Sequence, residues 1–248
     1  MRRFEKLPVV ILCGGLGLRL RSVMSDRPKC LAPIAGRPFL EYLLASLESH
    51  GFRQVVLCLG HRAEQVLEFV ASRKRGKAEI AHVLENQPLG TAGALKNAQS
   101  RIEGGQLLAL NGDTILDIDL DQLVRFHQRH KAVATLALCA RSNTAERYGT
   151  VNLDQKGRVT GFIEKKHGAK PGARGAHLVN GGVYVFNEEI FARIPQPPPS
   201  VSLEMEVFPS LIGNGLYGFP YAGYFLDIGI PADYQRAQIE LPERFTSC

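Results

Sequence analysis

The sequence predicts an α/β fold with a mainly parallel central sheet, and three observations support this prediction. First, Val9-Val10-Ile11-Leu12 is a short β-branched apolar run, typical of a strand buried on both faces of a parallel sheet. Second, similar runs alternate along the chain with segments of helical periodicity, which implies right-handed crossovers between parallel strands. Third, the first strand leads into a glycine-rich loop, at the sheet edge where such folds bind ligands.

The first half of the chain is predicted to alternate strands with helices. Leucines at helical spacing after Pro38 predict a helix that ends near Gly51, where glycine can adopt the left-handed conformation. Further strands are predicted near 55–59, 80–84 and 107–110, and further helices at 63–72 and 94–98. Residues 88–93 are predicted as a loop, with Thr91 capping the next helix and leaving its first amides open to an anion.

From about residue 132 the pattern becomes that of antiparallel strands. A strand is predicted at 133–139, a hairpin joins 149–153 to 159–163, and a last helix spans 233–239. The strand predicted at 178–186 carries the pair Gly181-Gly182 at its centre. Such glycines indicate either close approach by a ligand or a β-bulge.

The composition is that of an ordinary soluble globular protein, with 45% hydrophobic and 22% charged residues and a formal net charge of +6. The densest basic tract, Arg73 to Lys77, is predicted as a solvated turn rather than a nucleic-acid-binding patch. Five scattered cysteines without a C-x-x-C pair suggest neither a disulfide framework nor a zinc site, so a reducing cytoplasm is predicted. The amino terminus lacks a signal-peptide core, and no apolar stretch approaches membrane-spanning length.

The glycine-rich loop runs from Leu12 to Leu20 and on to Pro28-Lys29. It matches neither the Walker pattern nor the dinucleotide-binding fingerprint. Backbone without Cβ atoms can curl around an anion or lie flat against a base, although a ligand-free turn would look the same. Arg19 and Lys29 supply cations suited to phosphate oxygens and therefore favour phosphate binding.

Asp113 follows the strand predicted at 107–110. Because the carboxyl ends of parallel strands meet at one edge of the sheet, this carboxylate is expected to face the same crevice as the glycine loop. A turn aspartate beside glycine is the alternative interpretation.

Six short motifs occur in order between about residue 8 and residue 237. They are Leu12 to Leu20, Pro28-Lys29, Gly112-Asp113, Glu164-Lys165, Asn180-Gly181-Gly182 and Asp227. In these motifs the chain resembles the sugar-1-phosphate nucleotidyltransferases, with Cys13 and Leu18 in place of the family's usual alanine and threonine. Within the family it is most similar to the D-glycero-α-D-manno-heptose 1-phosphate guanylyltransferases. Mannose-1-phosphate guanylyltransferases share the stretch from Pro88 to Gly93.

The resemblance implies a Rossmann-like three-layer sandwich, the nucleotide-diphospho-sugar transferase fold, with a small antiparallel sugar-binding portion. It implies one domain over residues 1–248, with a nucleotide-binding half at about 8–131 and a sugar-phosphate-binding half at about 132–240. The sequence shows no internal repeat, so no hexapeptide-repeat domain is expected. The implied reaction joins a nucleoside triphosphate to a sugar 1-phosphate and releases pyrophosphate. The implied partners are these substrates and Mg²⁺, without nucleic acid or membrane, and a homo-oligomer is left open.

The resemblance also implies a role for each matching residue. Arg19 would bind the leaving pyrophosphate and Lys29 would neutralise the α-phosphate, whereas Asp113 and Asp227 would hold Mg²⁺. The nucleotide would be bound by Leu12, Cys13, Gly14, Gly15, Gly17, Glu85, Gly90 and Thr91. The sugar phosphate would be bound by Gly112, Tyr148, Gly149, Glu164, Lys165, Asn180 and Gly182.

Glu85 bears on the choice of base. A carboxylate can accept hydrogen bonds from both N1–H and the N2 amino group of guanine, which uracil and thymine do not offer together. Glu85 therefore favours GTP, unless it is simply an exposed acid at the end of a strand.

Two other classes of protein share parts of this pattern. A glycosyltransferase carries an Asp-x-Asp pair, and Asp117-Ile118-Asp119 has that form, but its position at the start of a helix indicates a cap. An inactive regulatory homologue would keep the fold and lose the cations and metal ligands, which this chain retains.

Overall fold

The computed structural model describes residues 4–15, 17, 20, 24, 26–73, 76–142, 150–163, 176–195 and 200–245. In these ranges the strands are β1 Val9–Leu12, β2 Pro33–Ile34, β3 Arg37–Pro38, β4 Gln54–Leu59, β5 Glu79–Leu84, β6 Gln106–Asn111, β7 Thr114–Leu116, β8 Ala134–Ser142, β9 Thr150–Leu153, β10 Val159–Ile163, β11 Ala176–Asn187, β12 Leu216–Tyr221 and β13 Phe225–Asp227. The α-helices are α1 Phe39–Ser49, α2 Ala63–Ser72, α3 Gly90–Asn97, α4 Leu120–His130, α5 Phe208–Ser210 and α6 Pro231–Arg244. Short 3₁₀-helices are Lys29–Leu31, Gln99–Arg101 and Glu188–Arg193, and Leu203–Val207 is a π-helix.

The contacts divide the chain into two compact units. The first unit comprises Met1–Pro88, Ala94–Ile115 and Leu226–Cys248, and the second comprises Leu89–Gly93 and Leu116–Phe225. These units are defined by which residues pack together. The predicted halves at about 8–131 and 132–240 are instead defined by the ligand that each half is expected to bind. The functional halves therefore stay a prediction.

The first unit contains a parallel sheet in the order β6-β1-β4-β5. Val9, Val10 and Ile11 at its centre have no exposed surface, as expected for a β-branched strand covered on both faces. The leucine stripe of α1 is buried, and Gly51 after this helix has a φ of +95°. The α/β class and the parallel order predicted for this half are therefore confirmed.

The second unit contains the antiparallel strands predicted from residue 132 onward. β8 pairs antiparallel with β11, β9 pairs antiparallel with β10 and β11, and β12 joins β8 in parallel. The register between β8 and β11 shifts between Asn180 and Tyr184, and Gly182 has a φ of +69°. The glycine pair therefore forms the bulge that was one of its two predicted interpretations.

The bounds predicted for two helices were wrong. The helix expected at 94–98 begins at Gly90, so Thr91 lies inside it and does not cap it. The carbonyl of Val201 accepts from the amides of Ala92 and Gly93 at 2.9 and 3.3 Å, so these first-turn amides are not open to an anion. The last helix extends on both sides of the predicted 233–239, since Pro231 suits its first turn.

His127 on α4 is a buried polar group of the second unit. Its Nδ1 lies 2.9 Å from Thr135 Oγ1 and its Nε2 lies 3.4 Å from Asn187 Oδ1, and the side chain has no exposed surface. Burial lowers the pKa of His127 from 6.5 to about 4, against a smaller opposite effect of Asn187.

We expect this histidine to make the protein less stable in mild acid. As the pH falls below 6.5 the unfolded chain takes up a proton on His127, whereas the folded chain does so only near a pH of about 4. The free energy of unfolding should lose about 3 kcal/mol over this interval. In urea unfolding measured between pH 7 and pH 4, the free energy of unfolding should therefore fall less for His127→Gln than for the unmodified chain. Parallel pH profiles of the two proteins would contradict this assignment.

The described residues contain no helix long and apolar enough to cross a membrane. Cys13, Cys30, Cys58 and Cys139 are buried free thiols. Cys58 and Cys139 lie within β4 and β8 and are at most 1% exposed, so they act as small apolar residues of the core.

Candidate active site

The first unit brings Glu85 against the glycine loop. Its amide donates to the carbonyl of Leu59 at 2.8 Å, which continues the alignment of β5 with β4. The carboxylate lies beside Gly14, where an added Cβ would overlap Oε1 and lie 3.0 Å from Cδ. Glu85 is half-buried rather than an exposed strand-end acid. The Glu85 carboxylate therefore lies against the backbone of the glycine loop.

Close backbone contacts explain other glycines around the loop. An added Cβ at Gly60 would lie 2.9 Å from the carbonyl oxygen of Gly14, and one at Gly112 would lie 2.8 Å from that of Leu12. Gly17 has a φ of +61°, where side chains are strained. At Gly15 an added Cβ would meet none of the described atoms within 4 Å, so packing within this part of the chain does not require glycine there. This open backbone is suited to lie against a base or a phosphate.

Lys29 and Asp113 form an ion pair in the first unit. Lys29 Nζ lies 2.6 Å from Asp113 Oδ2, with the two side chains 16% and 26% exposed. Pro28, just before Lys29, has an extended conformation, and the stem of Lys29 passes about 4 Å from the Cβ position of Gly17. The pair therefore lies beside the loop and remains accessible to a ligand.

A backbone hydrogen bond at Asp113 brings Asp227 close to it. The Asp113 carbonyl accepts from the amide of Ile228 at 3.0 Å, and Asp227 Oδ1 accepts from the amide of Gly229 at 2.6 Å. Two residues 114 positions apart in sequence (227 minus 113) therefore become neighbours where β13 meets β7. Among the described residues no group of three or more His, Cys, Asp or Glu side chains is arranged to hold a metal. A pair of carboxylates completed by substrate phosphates is nevertheless the donor set that Mg²⁺ commonly uses.

Cys13 in the loop is not arranged as a nucleophile. Its hydrogen bond with Cys30, followed by burial and by nearby acidic groups that include Asp113, raises the pKa of the Cys13 thiol well above its usual value. A thiol with a raised pKa carries little thiolate and reacts slowly. Cys13 therefore serves as an apolar part of the loop.

In the second unit Asn180 is oriented by two hydrogen bonds. Its Oδ1 accepts from the amide of Gly182 at 3.1 Å, and its Nδ2 donates to the hydroxyl of Tyr184 at 2.8 Å. Asn180 is half-buried, and each end of its amide retains capacity for one further bond. The bulge thus presents an oriented amide that can bind a hydroxyl group.

Gly90 and Thr91 pack against the segment that begins at Val201. Gly90 has a φ of +73°, and an added Cβ there would overlap the Val201 carbonyl oxygen and crowd the rest of its backbone. The Thr91 hydroxyl donates to Glu204 Oε2 at 2.7 Å and accepts from the amide of Leu203 at 2.8 Å. These contacts explain the presence of glycine at position 90 and threonine at position 91, and the sequence alone did not reveal them.

Several predicted site residues lie outside the described residues. They are Arg19, Tyr148, Gly149, Glu164 and Lys165, together with the variant position Leu18. Their predicted roles stay predictions.

Asp119 caps α4. Its Oδ1 accepts from the amide of Gln122 at 2.9 Å and its Oδ2 accepts from the side chain of the same residue at 2.8 Å. These bonds lower the pKa of the Asp119 carboxyl, although the group itself is exposed to solvent. The predicted capping role is thus confirmed for Asp119.

Sequence reasoning missed three polar groups near the predicted site residues. Tyr184 and Glu204 continue the hydrogen bonds of Asn180 and Thr91, and a sequence pattern cannot show which strand and helix meet. Asn111 stands just before Gly112-Asp113, and its Oδ1 is buried with no hydrogen-bond partner among the described residues. Its position at the end of β6, directly before Gly112-Asp113, is the sequence feature from which it could have been predicted.

The comparisons with known proteins agree with this architecture. A family model described as nucleotidyl transferase matches residues 8–244. The chain belongs to this family of nucleotide-transferring enzymes. It is 39% identical over 236 residues, 95% of its length and 98% of the relative, to the D-glycero-alpha-D-manno-heptose 1-phosphate guanylyltransferase of Aneurinibacillus thermoaerophilus. A mannose-1-phosphate guanylyltransferase of Mycobacterium tuberculosis is 35% identical over 96% of the chain and 65% of that protein.

A solved structure supports the same assignment. The crystal structure of HddC from Yersinia pseudotuberculosis superimposes with a TM-score of 0.82 at 32% identity, covering 96% of this chain and 99% of that one. A second structure of HddC, complexed with GMP-PN, has a TM-score of 0.81. The predicted Rossmann-like α/β class and the predicted family are thereby confirmed.

Proposed function

We propose that this chain transfers the guanylyl group of GTP to a sugar 1-phosphate, with D-glycero-α-D-manno-heptose 1-phosphate as the acceptor, and releases pyrophosphate. The observation that carries the proposal is the Lys29–Asp113 pair beside the glycine loop, with Asp227 adjacent. One cation and two carboxylates next to open loop backbone suit a polyphosphate and its counter-ion.

The reaction needs positioning and charge neutralisation more than covalent chemistry. A sugar-phosphate oxygen attacks the α-phosphorus of GTP, forming one P–O bond as the bond to pyrophosphate breaks. In this proposal Lys29 neutralises charge at the α-phosphate, and Arg19 binds the leaving pyrophosphate. Asp113 and Asp227 would hold Mg²⁺, which when bound screens charge between phosphate groups.

The position of Glu85 supports guanine as the base. Its half-buried carboxylate lies against Gly14, in the loop that would contact the base together with Leu12, Cys13 and Gly15. Gly17, Gly90 and Thr91 complete the proposed nucleotide site. The HddC structure determined with GMP-PN is consistent with this choice.

The sugar phosphate is assigned to two residues of the bulge and to five further residues that the resemblance names. Asn180 and Gly182 would bind sugar hydroxyls through the oriented amide and the bulged backbone. Gly112, Tyr148, Gly149, Glu164 and Lys165 complete the proposed set. Buried, paired polar groups of this kind discriminate strongly among sugars.

Mannose 1-phosphate is the second candidate acceptor. The relative from M. tuberculosis is named for it and matches 96% of this chain. Heptose is preferred because the relative named for it has the higher identity, 39% against 35%. The proposal also places the enzyme in the cytoplasm, in nucleotide-sugar synthesis for a surface polysaccharide, and buried free thiols suit such a reducing compartment.

Pyrophosphate release with Mg²⁺ tests this proposal when five nucleoside triphosphates are crossed with three sugar 1-phosphates. The nucleotides are GTP, ATP, CTP, UTP and dTTP, and the sugars are the heptose, mannose and glucose phosphates. Release restricted to GTP with the heptose phosphate is expected. Preference for a pyrimidine triphosphate would overturn the assignment of the base.

Glu85→Gln should weaken recognition of guanine. The loss of a charged acceptor for two guanine donors should lower kcat/KM for GTP about 10- to 100-fold, with much less effect on the residual rate with ATP. Glu64→Gln, on the exposed face of α2, serves as the matched control. Equal losses with GTP and ATP would show that Glu85 does not read the base.

A further inference from the structure

Glu204 lies at the centre of a hydrogen-bond network in the second unit. Its Oε2 accepts from Thr91 Oγ1 at 2.7 Å and from Ser202 Oγ at 2.9 Å. It stands in the π-helix Leu203–Val207, and Ser202 caps this helix by accepting from two of its amides. π-Helical turns often occur at functional sites because they displace one side chain from the regular helical direction.

The second oxygen of Glu204 extends this network to the bulge of β11. Tyr184 donates its hydroxyl proton to Glu204 Oε1 at 3.4 Å and accepts from Asn180 Nδ2 at 2.8 Å. Asn180 Oδ1 in turn accepts from the amide of Gly182. The bonds run without a break from Thr91 to the bulge.

The direction of these bonds requires an acceptor at position 204. Thr91, Ser202 and Tyr184 all donate to the carboxylate, and Tyr184 can therefore accept from the amide nitrogen of Asn180. The ring of Tyr184 has no exposed surface, so its hydroxyl has little freedom to seek water. Through Tyr184, the carboxylate thereby reinforces the orientation of the Asn180 amide that the bond from the Gly182 amide also favours.

We propose that Glu204 is a positioning residue that orients the Asn180 amide for a sugar hydroxyl and links it to the segment containing Thr91. This inference rests on the proposed function, in which Asn180 binds the sugar and Thr91 the nucleotide. The Glu204 carboxylate would then both hold the segment that contains Thr91 and orient the amide that binds the sugar. Loss of that carboxylate should act on binding of the sugar phosphate rather than on folding alone.

Glu204→Gln and Tyr184→Phe are the variants that test the proposal. A glutamine has an acceptor oxygen at one end and an NH₂ donor group at the other, so either Tyr184 or the Thr91–Ser202 pair loses its acceptor. Each variant should raise KM for the sugar 1-phosphate about tenfold, with kcat nearly unchanged. The double variant should be no worse than the more affected single variant, because both changes break the same chain of bonds.

Glu206→Gln is the matched control. Glu206 lies in the same π-helix, is exposed and accepts from the backbone amide of Ser202, which a glutamine at this position can also do. It should retain the kinetic constants of the unmodified chain. The melting temperature of every variant is measured in parallel.

The outcomes separate this inference from the proposed function. If the unmodified chain turns over no pair of substrates, the proposed function fails and the inference fails with it. If the unmodified chain is active but Glu204→Gln and Tyr184→Phe behave like Glu206→Gln, only the inference is overturned. A fall in kcat and melting temperature with unchanged KM for the sugar phosphate would assign Glu204 to folding and also overturn it.

Discussion

Replacement of Asp113 by asparagine is expected to lower kcat/KM by about 10³-fold or more, because one of two proposed magnesium ligands loses its charge. The substitution preserves the size of the side chain, and Oδ2 is the atom that Lys29 Nζ contacts at 2.6 Å. Steady-state release of pyrophosphate from GTP and the sugar phosphate measures the effect. Raising the Mg²⁺ concentration should recover only part of the rate, because the remaining Asp227 supplies a weaker site.

Asp119→Asn is the control for this change. Asparagine caps a helix about as well as aspartate, so both stability and turnover should be retained. A reversed result, with Asp119→Asn inactive and Asp113→Asn active, would favour the Asp-x-Asp pair of a glycosyltransferase. An active Asp113→Asn would by itself remove this residue from the proposed site.

Lys29→Gln is expected to lower kcat about 10²- to 10³-fold, because a positioned cation stabilises charge that develops in the transition state. KM for GTP should rise less than kcat falls, since the cation matters most when charge develops. Single-turnover measurements with saturating GTP separate the chemical step from release of products.

Lys29→Arg distinguishes charge from geometry. The arginine fork carries the same charge but does not match a compact ammonium group held 2.6 Å from a carboxylate. We therefore expect Lys29→Arg to remain well below the unmodified enzyme. Lys77→Gln, at an exposed position, should have no effect. Full activity of Lys29→Gln would contradict the role proposed for this residue.

Much of the parallel half of the fold could be predicted from sequence because its signals are strong. Val9–Leu12 and Ala63–Ser72 have the predicted bounds, since a strand covered on both faces and an amphipathic helix each have a clear pattern. The bulge at Gly181-Gly182 was one of two interpretations of that pair, and the register shift selects it. These features depend on local sequence.

Features that depend on distant contacts were harder to predict. The strand Leu216–Tyr221 contains Gly218 and Pro220, which weaken its pattern, yet it pairs in parallel with β8. Gly218 leaves room for the side chains of Leu138 and Leu153. The cap predicted at Thr91 failed for a similar reason, because Val201 bonds to the first turn of that helix.

The candidate site shows the same contrast. Asp113 and Asp227 were named from motifs, and the structure brings their backbones together at Ile228. Glu204 belongs to none of the six motifs, and its partners Thr91 and Tyr184 are 113 and 20 positions away in the chain. Only the packing of the π-helix reveals that they share one carboxylate.

The central claim is tested most directly by the products formed from GTP and D-glycero-α-D-manno-heptose 1-phosphate in the presence of Mg²⁺. Phosphorus NMR should show a guanosine diphosphate sugar and pyrophosphate appearing in equal amounts, and neither should form when the sugar phosphate is omitted. Release of GMP without the sugar phosphate would contradict transfer to a sugar. Consumption of a ready-made nucleotide sugar, with no pyrophosphate formed from GTP, would contradict the account as a whole.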